Sequence, residues 1–147
     1  MNEDRVLSPT LMALPSYALS LAGQVGRAGG VAAAARADLR LGHVAVLAIL
    51  ADFGPSSQRV LAKRLRRDPS DLVALLDELQ ERGDARREPD PEDRRRRRVL
   101  ITPRGRRTLA RVIADVKAEE ELVFSELTAR ERQQLRQLAM KVLDGRR

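Results

Sequence analysis

The 147-residue chain has no cysteine and a single histidine, His43. Without cysteine there is no disulfide framework, no thiolate metal site and no thiol redox switch. One histidine excludes a multi-histidine metal site within one chain. Aromatic side chains are nearly absent: Tyr17, Phe53 and Phe124 are the whole set. That argues against a platform that stacks the bases of single-stranded nucleic acid. Of the 28 basic residues only Lys63, Lys117 and Lys141 are lysines, a bias that fits a GC-rich genome. No run of about 18 apolar residues occurs, so no membrane span is expected. The opening residues, MNEDRVL, lack the basic-then-apolar order of a signal peptide, and the expected location is the cytoplasm.

No arrangement of residues points to covalent chemistry. There is no nucleophile–base constellation, no glycine-rich phosphate loop and no carboxylate pair set in an apolar pocket. Glu119, Glu120 and Glu121 read as a solvated helix face. The chain is therefore not expected to be an enzyme. It offers no catalytic residue and no metal ligand set, and no cofactor is expected.

What is present is enough apolar residue, 43%, for a folded domain. A net charge of +7 comes with it. The charge has an address. Residues 55–108 hold 16 basic and 10 acidic residues, a net of +6, and the two flanks together carry +1. Nucleic acid leads the partners that such a localised excess implies.

Periodicity divides the chain into helices around one hairpin. Residues 9–28 carry Leu11, Leu14, Ala18, Leu21, Ala22 and Val25 at helical spacing, with Pro15 tolerated near the first turn. Gly29-Gly30 is expected to end this helix, and the alanine-rich stretch that follows reads as loop or helix. Leu41 to Leu50 is almost wholly apolar and predicts a buried helix broken at Gly54-Pro55. A third helix starts at Ser56 or Ser57 with Val60, Leu61 and Leu65 inward. A fourth has Asp68 as N-cap, Pro69 in the first turn and Asp71 near the positive end of the dipole. Its inner stripe is Leu72, Leu75, Leu76 and Leu79, and Gly83 is its left-handed stop.

After Gly83 the period shortens. Residues 85–88 and 99–102 read as two strands joined through the turn cluster 89–93 and the run Arg94 to Arg98. Thr102 or Pro103 opens a long helix with Leu109, Val112, Ile113 and Val116 on one face. Thr128 and Glu131 form a capping box for a last helix, striped by Leu135, Leu138, Ala139 and Val142. Two short helices, a basic turn at Arg66-Arg67 and a basic hairpin are the layout of a winged helix-turn-helix that binds duplex DNA. An architectural or protein-binding winged helix without an operator is the alternative, and it predicts similar affinity for any duplex.

The stretch from Asp68 to Leu109 resembles the MarR family of bacterial transcription regulators. The resemblance rests on "LLDELQERG", "RREPDPEDRR" and "LITPRG". Upstream, "LGHVAVLAILADFGPSSQRVLAKRL" is similar to the preceding helices. Downstream, "ELTARERQQLRQLAMKVL" is similar to the family's last helix. The likeness covers about residues 40–143. It implies a mainly α fold with a β-hairpin wing and a homodimer made by the N- and C-terminal helices. It also implies a repressor that occludes a promoter at a pseudo-palindromic operator read by two helices about 34 Å apart. The implied division is a dimerisation helix and connector over 1–40, the winged helix over 41–105 and dimerisation helices over 106–147.

Roles carry over position by position. The likeness implies that Asp93 braces the wing and that Arg95 enters the minor groove, with Arg94 and Arg97 as further candidates. It places Ser56, Ser57 and Gln58 at phosphate, as it does Arg66 and Arg67. It places Ser70, Asp71, Val73 and Ala74 at base edges. Many members put an arginine or another long polar residue on that face, where this chain has Ala74. Many members also bind small aromatic or anionic effectors between the dimer helices and the DNA-binding lobe. Tyr17 and His43 are the polar groups to inspect for such a ligand, against the plainer reading of a tyrosine at the dimer interface and a satisfied, partly buried histidine. Others sense oxidation through cysteine or bind zinc. The lack of cysteine closes the first route, and a single histidine counts against the second.

Overall fold

The computed structural model of the protein describes residues 7–145. Most of the MNEDRVL segment, and residues 146–147 of the C-terminal segment, lie outside the described residues. Seven helices and one hairpin follow in the order α1 (Pro9–Met12), α2 (Pro15–Ala35), α3 (Leu41–Phe53), α4 (Gln58–Leu65), α5 (Pro69–Glu81), β1 (Ala85–Pro89), β2 (Arg97–Ile101), α6 (Pro103–Val123) and α7 (Ala129–Asp144). The chain is thus mainly α with a two-stranded antiparallel wing, as expected from its pattern.

The chain forms two compact units. One is Gly30–Val116; the other joins the residues up to Gly29 with those from Lys117 onward. In the first unit the apolar run of α3 supplies the centre, with Val46, Leu47 and Leu50 fully buried. Leu61 and Ala62 of α4, the four predicted leucines of α5, Val99 of β2 and Val112 of α6 close around it. Every inward position predicted for α5 is buried. In α4 the inner face is Leu61 and Ala62, with Leu65 partly buried against the core, whereas Val60 is 41% exposed. Val60 lies instead on the face of α4 that borders a groove towards the wing.

Local signals explain most helix ends. Asp68 caps α5 by accepting the Ser70 N–H at 2.8 Å, and Gly83 takes φ 75° just past its end. Ser57, rather than Ser56, caps α4, accepting the Val60 N–H at 3.3 Å. The Thr128–Glu131 box caps α7. The Thr102 hydroxyl accepts the Gly105 N–H at 3.0 Å at the start of α6. Gly105 is required for another reason: a Cβ there would overlap the Asp84 carbonyl.

One predicted boundary is wrong at both ends. The first helix breaks before Pro15, and α2 then runs on through Gly29-Gly30 to Ala35. Pro15 has no N–H and disfavours helical backbone in the residue before it, so it opens a helix more readily than it continues one. A Cβ at Gly29 would lie 3.1 Å from the Glu119 Cβ of α6. Gly29 therefore serves close helix packing, which offsets the ~1 kcal/mol that glycine costs a helix interior.

In the second unit, α2, α6 and α7 border an apolar groove of about 560 Å³ that includes Leu19, Gly26, Phe124, Leu135 and Ala139. Helix α7 has no buried residue. Leu122, Leu138, Val142 and Leu143 are all more than half exposed.

Candidate nucleic-acid interface

The turn between α4 and α5 is strained. Arg66 caps α4 in the left-handed region, φ 49° and ψ 46°, where glycine is usual. Its N–H and that of Arg67 bond back to the last carbonyls of α4, so both side chains are left on the surface. Between the two helices lies a groove of about 520 Å³. Gln58, Arg59, Lys63, Arg66 and Arg67 line it over an apolar floor of Ala62, Leu72 and Val73, with no acidic residue. A second groove, about 720 Å³, runs from the start of α4 to the wing, between Ser57, Gln58, Arg59 and Arg64 on one side and Asp90, Arg96 and Arg97 on the other. Gln58 and Arg59 border both. The cations of the turn, of α4 and of the wing therefore form one continuous stripe. Arg64 also stacks over the Phe53 ring, 4.1 Å from its centroid.

The wing is held by its own acids. Strand pairing runs from Ala85 opposite Ile101 to Pro89 opposite Arg97. At the tip the Asp93 carboxylate accepts the Arg95 N–H at 3.0 Å and lies 3.3 Å from Arg96 Nε. The Asp93 carbonyl accepts the Arg96 N–H. Arg98 is tied to Glu88 through two bonds of 2.9 and 2.6 Å. The arginine run thus splits. Arg96 and Arg98 brace the hairpin, while Arg94, Arg95 and Arg97 are exposed and no side-chain bond engages them among the described residues.

Ser56 differs from its expected role. It is buried, exchanges both backbone hydrogen bonds with Val99, and donates its hydroxyl to the Gly54 carbonyl. It sews the entry of α4 to the wing, so neither its N–H nor its hydroxyl hydrogen is left for a phosphate. Ser57 uses its hydroxyl as a cap, and Gln58 is half-buried at the join of the two grooves. On α5, Ser70, Asp71, Val73 and Ala74 are exposed.

Three clusters that hold α5 and the wing in place escaped the sequence. Arg87 of β1 reaches Asp77 of α5 at 2.7 Å. Asp84, fully buried at the wing base, accepts from Arg82 Nε at 3.0 Å and from the Thr108 hydroxyl at 2.9 Å. Arg104 Nε stands 3.4 Å away. A buried carboxylate needs such partners. The third is His43, 2% exposed. Its Nδ1 accepts the Arg40 N–H at 3.0 Å, and its Nε2 lies 3.0 Å from the Glu78 carboxylate of α5, which also pairs with Arg40. Burial holds the imidazole below its usual pKa, against the pull of Glu78. His43 is thus a core histidine whose Nε2 stands close to Glu78 without a well-aligned hydrogen bond. Tyr17 is half-buried on α2, in the other unit. Arg59 and Lys63 were also missed, although their spacing of four puts them on one helix face.

Comparison with known proteins agrees with this architecture. The sequence profile of the MarR family matches residues 37–96. The transcriptional regulator HosA of Escherichia coli O111:H- is 31% identical over 108 residues, 74% of this chain and 80% of that protein. The HTH-type transcriptional repressor NicR of Pseudomonas putida is 34% identical over 67% of this chain and 63% of its own length. The crystal structure of CouR from Rhodococcus jostii RHA1, bound to p-coumaroyl-CoA, superimposes with a TM-score of 0.76 at 29% identity, covering 92% of this chain and 95% of CouR. The chain belongs to the MarR family of winged-helix transcription regulators.

Proposed function

We propose that the protein is a homodimeric repressor that occludes a promoter by binding a pseudo-palindromic operator in the cytoplasm. The stripe of cations from Arg66 and Arg67 through Arg59 to Arg97 carries this reading. It follows one backbone of a duplex, α5 enters the major groove, and the unpaired wing arginines Arg94 and Arg95 enter the minor groove, where the potential is most negative. The exposed leucines of α7 and the groove beside them are covered by a second copy of the chain. An aromatic or anionic effector releases the complex. CouR, crystallised with p-coumaroyl-CoA, supports that class, and Tyr17 is the side chain proposed to meet it. His43, being buried, acts only through Glu78. The test is a gel shift with the DNA upstream of the protein's own gene. A preference of on the order of 10³ over random duplex is expected. Equal affinity for both overturns the operator.

A further inference from the structure

The exposed side chains over the first two turns of α5 share a chemical property: no hydrogen-bond donor is free among them. Ser70 spends its hydroxyl hydrogen on Asp68, at 2.5 Å. Asp68 in turn is occupied as the cap, accepting both the N–H and the hydroxyl of Ser70. Asp71 is different. It is exposed, and no hydrogen bond or ion pair engages its carboxylate among the described residues. Val73, 40% exposed, and Ala74 are apolar. Further along, Asp77 is taken by Arg87 and Glu78 by Arg40. Over those first two turns the exposed side chains therefore offer acceptors and methyl groups only, beside a groove lined by four cations and no acid. Asp71 suits the positive end of the helix dipole where it stands, and a polyanion drawn to that groove would bring it either phosphates, which repel it, or base donors.

We propose that Asp71 accepts the N4 amino group of a cytosine, while Val73 and Ala74 meet thymine methyls. This rests on the operator reading above and deepens it by naming the base class. In the major groove guanine shows two acceptors, N7 and O6, and a carboxylate is repelled by both. Adenine shows a donor, but its N7 acceptor lies beside it. Cytosine shows its amino donor next to a C–H edge, which suits a lone carboxylate. Each half-site then carries cytosine at one position facing α5, and guanine on that strand is rejected.

Selection of bound duplexes from a random pool, with full-length wild type, Asp71→Ala and Asp71→Asn, tests this. Wild type should enrich cytosine at one position per half-site, and replacing that cytosine should weaken binding roughly tenfold. Asp71→Ala should bind with that position degenerate and the rest of the site intact. Asp71→Asn, which gains an amide donor, should shift the position towards adenine. Asp71 is exposed, so a thermal melt should show both variants folded like wild type. The same base preferences at every position in wild type and Asp71→Ala overturn the assignment, as does wild-type enrichment of guanine at the position that Asp71→Ala makes degenerate. Salt-sensitive duplex binding with no enriched sequence in wild type overturns the operator reading, and this one with it.

Discussion

The two units of the chain solve the burial problem differently. In Gly30–Val116, helices and wing converge on one core, and every buried hydrophobic among the described residues lies there. In the other unit, α7 has the helical stripe that the sequence promised but leaves it in the open, with Leu138 63% and Val142 55% exposed. The charge divides in parallel, +6 over residues 55–108 against +1 on the flanks. The unit that carries the excess positive charge has a core complete in itself. A unit whose charges nearly cancel and whose leucines face outward is built to be covered by another surface.

That contrast is open to direct attack. The largest effect is expected from Leu79→Ala, which opens a cavity in the first core and should cost about 2–5 kcal/mol in chemical denaturation. Leu138→Glu is the matching change in the other unit. If a second copy covers α7, sedimentation should show monomer, and the melting temperature should lose its dependence on concentration. A dimer that persists with unchanged stability removes the distinction between the units.

Next in size is the wing. The double variant Arg94→Ala/Arg95→Ala should keep the fold and the dimer. Its salt dependence of DNA binding should flatten by about 1 for each phosphate that is no longer neutralised. Arg96→Ala/Arg98→Ala should act through the hairpin instead, lowering wing stability together with affinity. Equal effects of the two pairs would erase the division of the arginine run into DNA-facing side chains and braces.

Smaller still is Arg66→Gly. It relieves a left-handed arginine and should stabilise the protein by about 1 kcal/mol, while weakening DNA binding at low salt. The smallest effect concerns pH. Burial depresses the His43 pKa below its ordinary 6.5, so on acidification the unfolded chain takes up the proton first. The contribution is therefore complete above about 6.5 and is lost as the pH falls through that value towards the folded-state pKa. His43→Gln should flatten this part of the stability–pH curve, measured by denaturation at a series of pH values.

Much of this was legible in the sequence because the signals are local. The caps of α5 and α7, the leucine stripe of α5 and the hairpin after Gly83 depend on residues within a turn or two of one another. Misreadings arose where a distant element decided. Gly29-Gly30 looks like a helix stop, yet the helix runs through it and Gly29 gives α6 room. Ser56 looks like a phosphate ligand and instead pairs with Val99, 43 residues away. The run Arg94 to Arg98 is uniform as letters. Pairing with β1 sets which arginines meet Glu88, and the fold of the tip sets which meet Asp93.

By itself, then, the sequence determined the winged helix-turn-helix, the address of its charge and the closure of cysteine-based regulation, because period, capping and composition are properties of short segments. Only the tertiary structure decided which cations are free, which carboxylates on α5 are paired, and that His43 belongs to the core. Those outcomes depend on which groups the fold brings within hydrogen-bond reach, and side chains of one type brace the fold or stay free at its surface according to the neighbour they find.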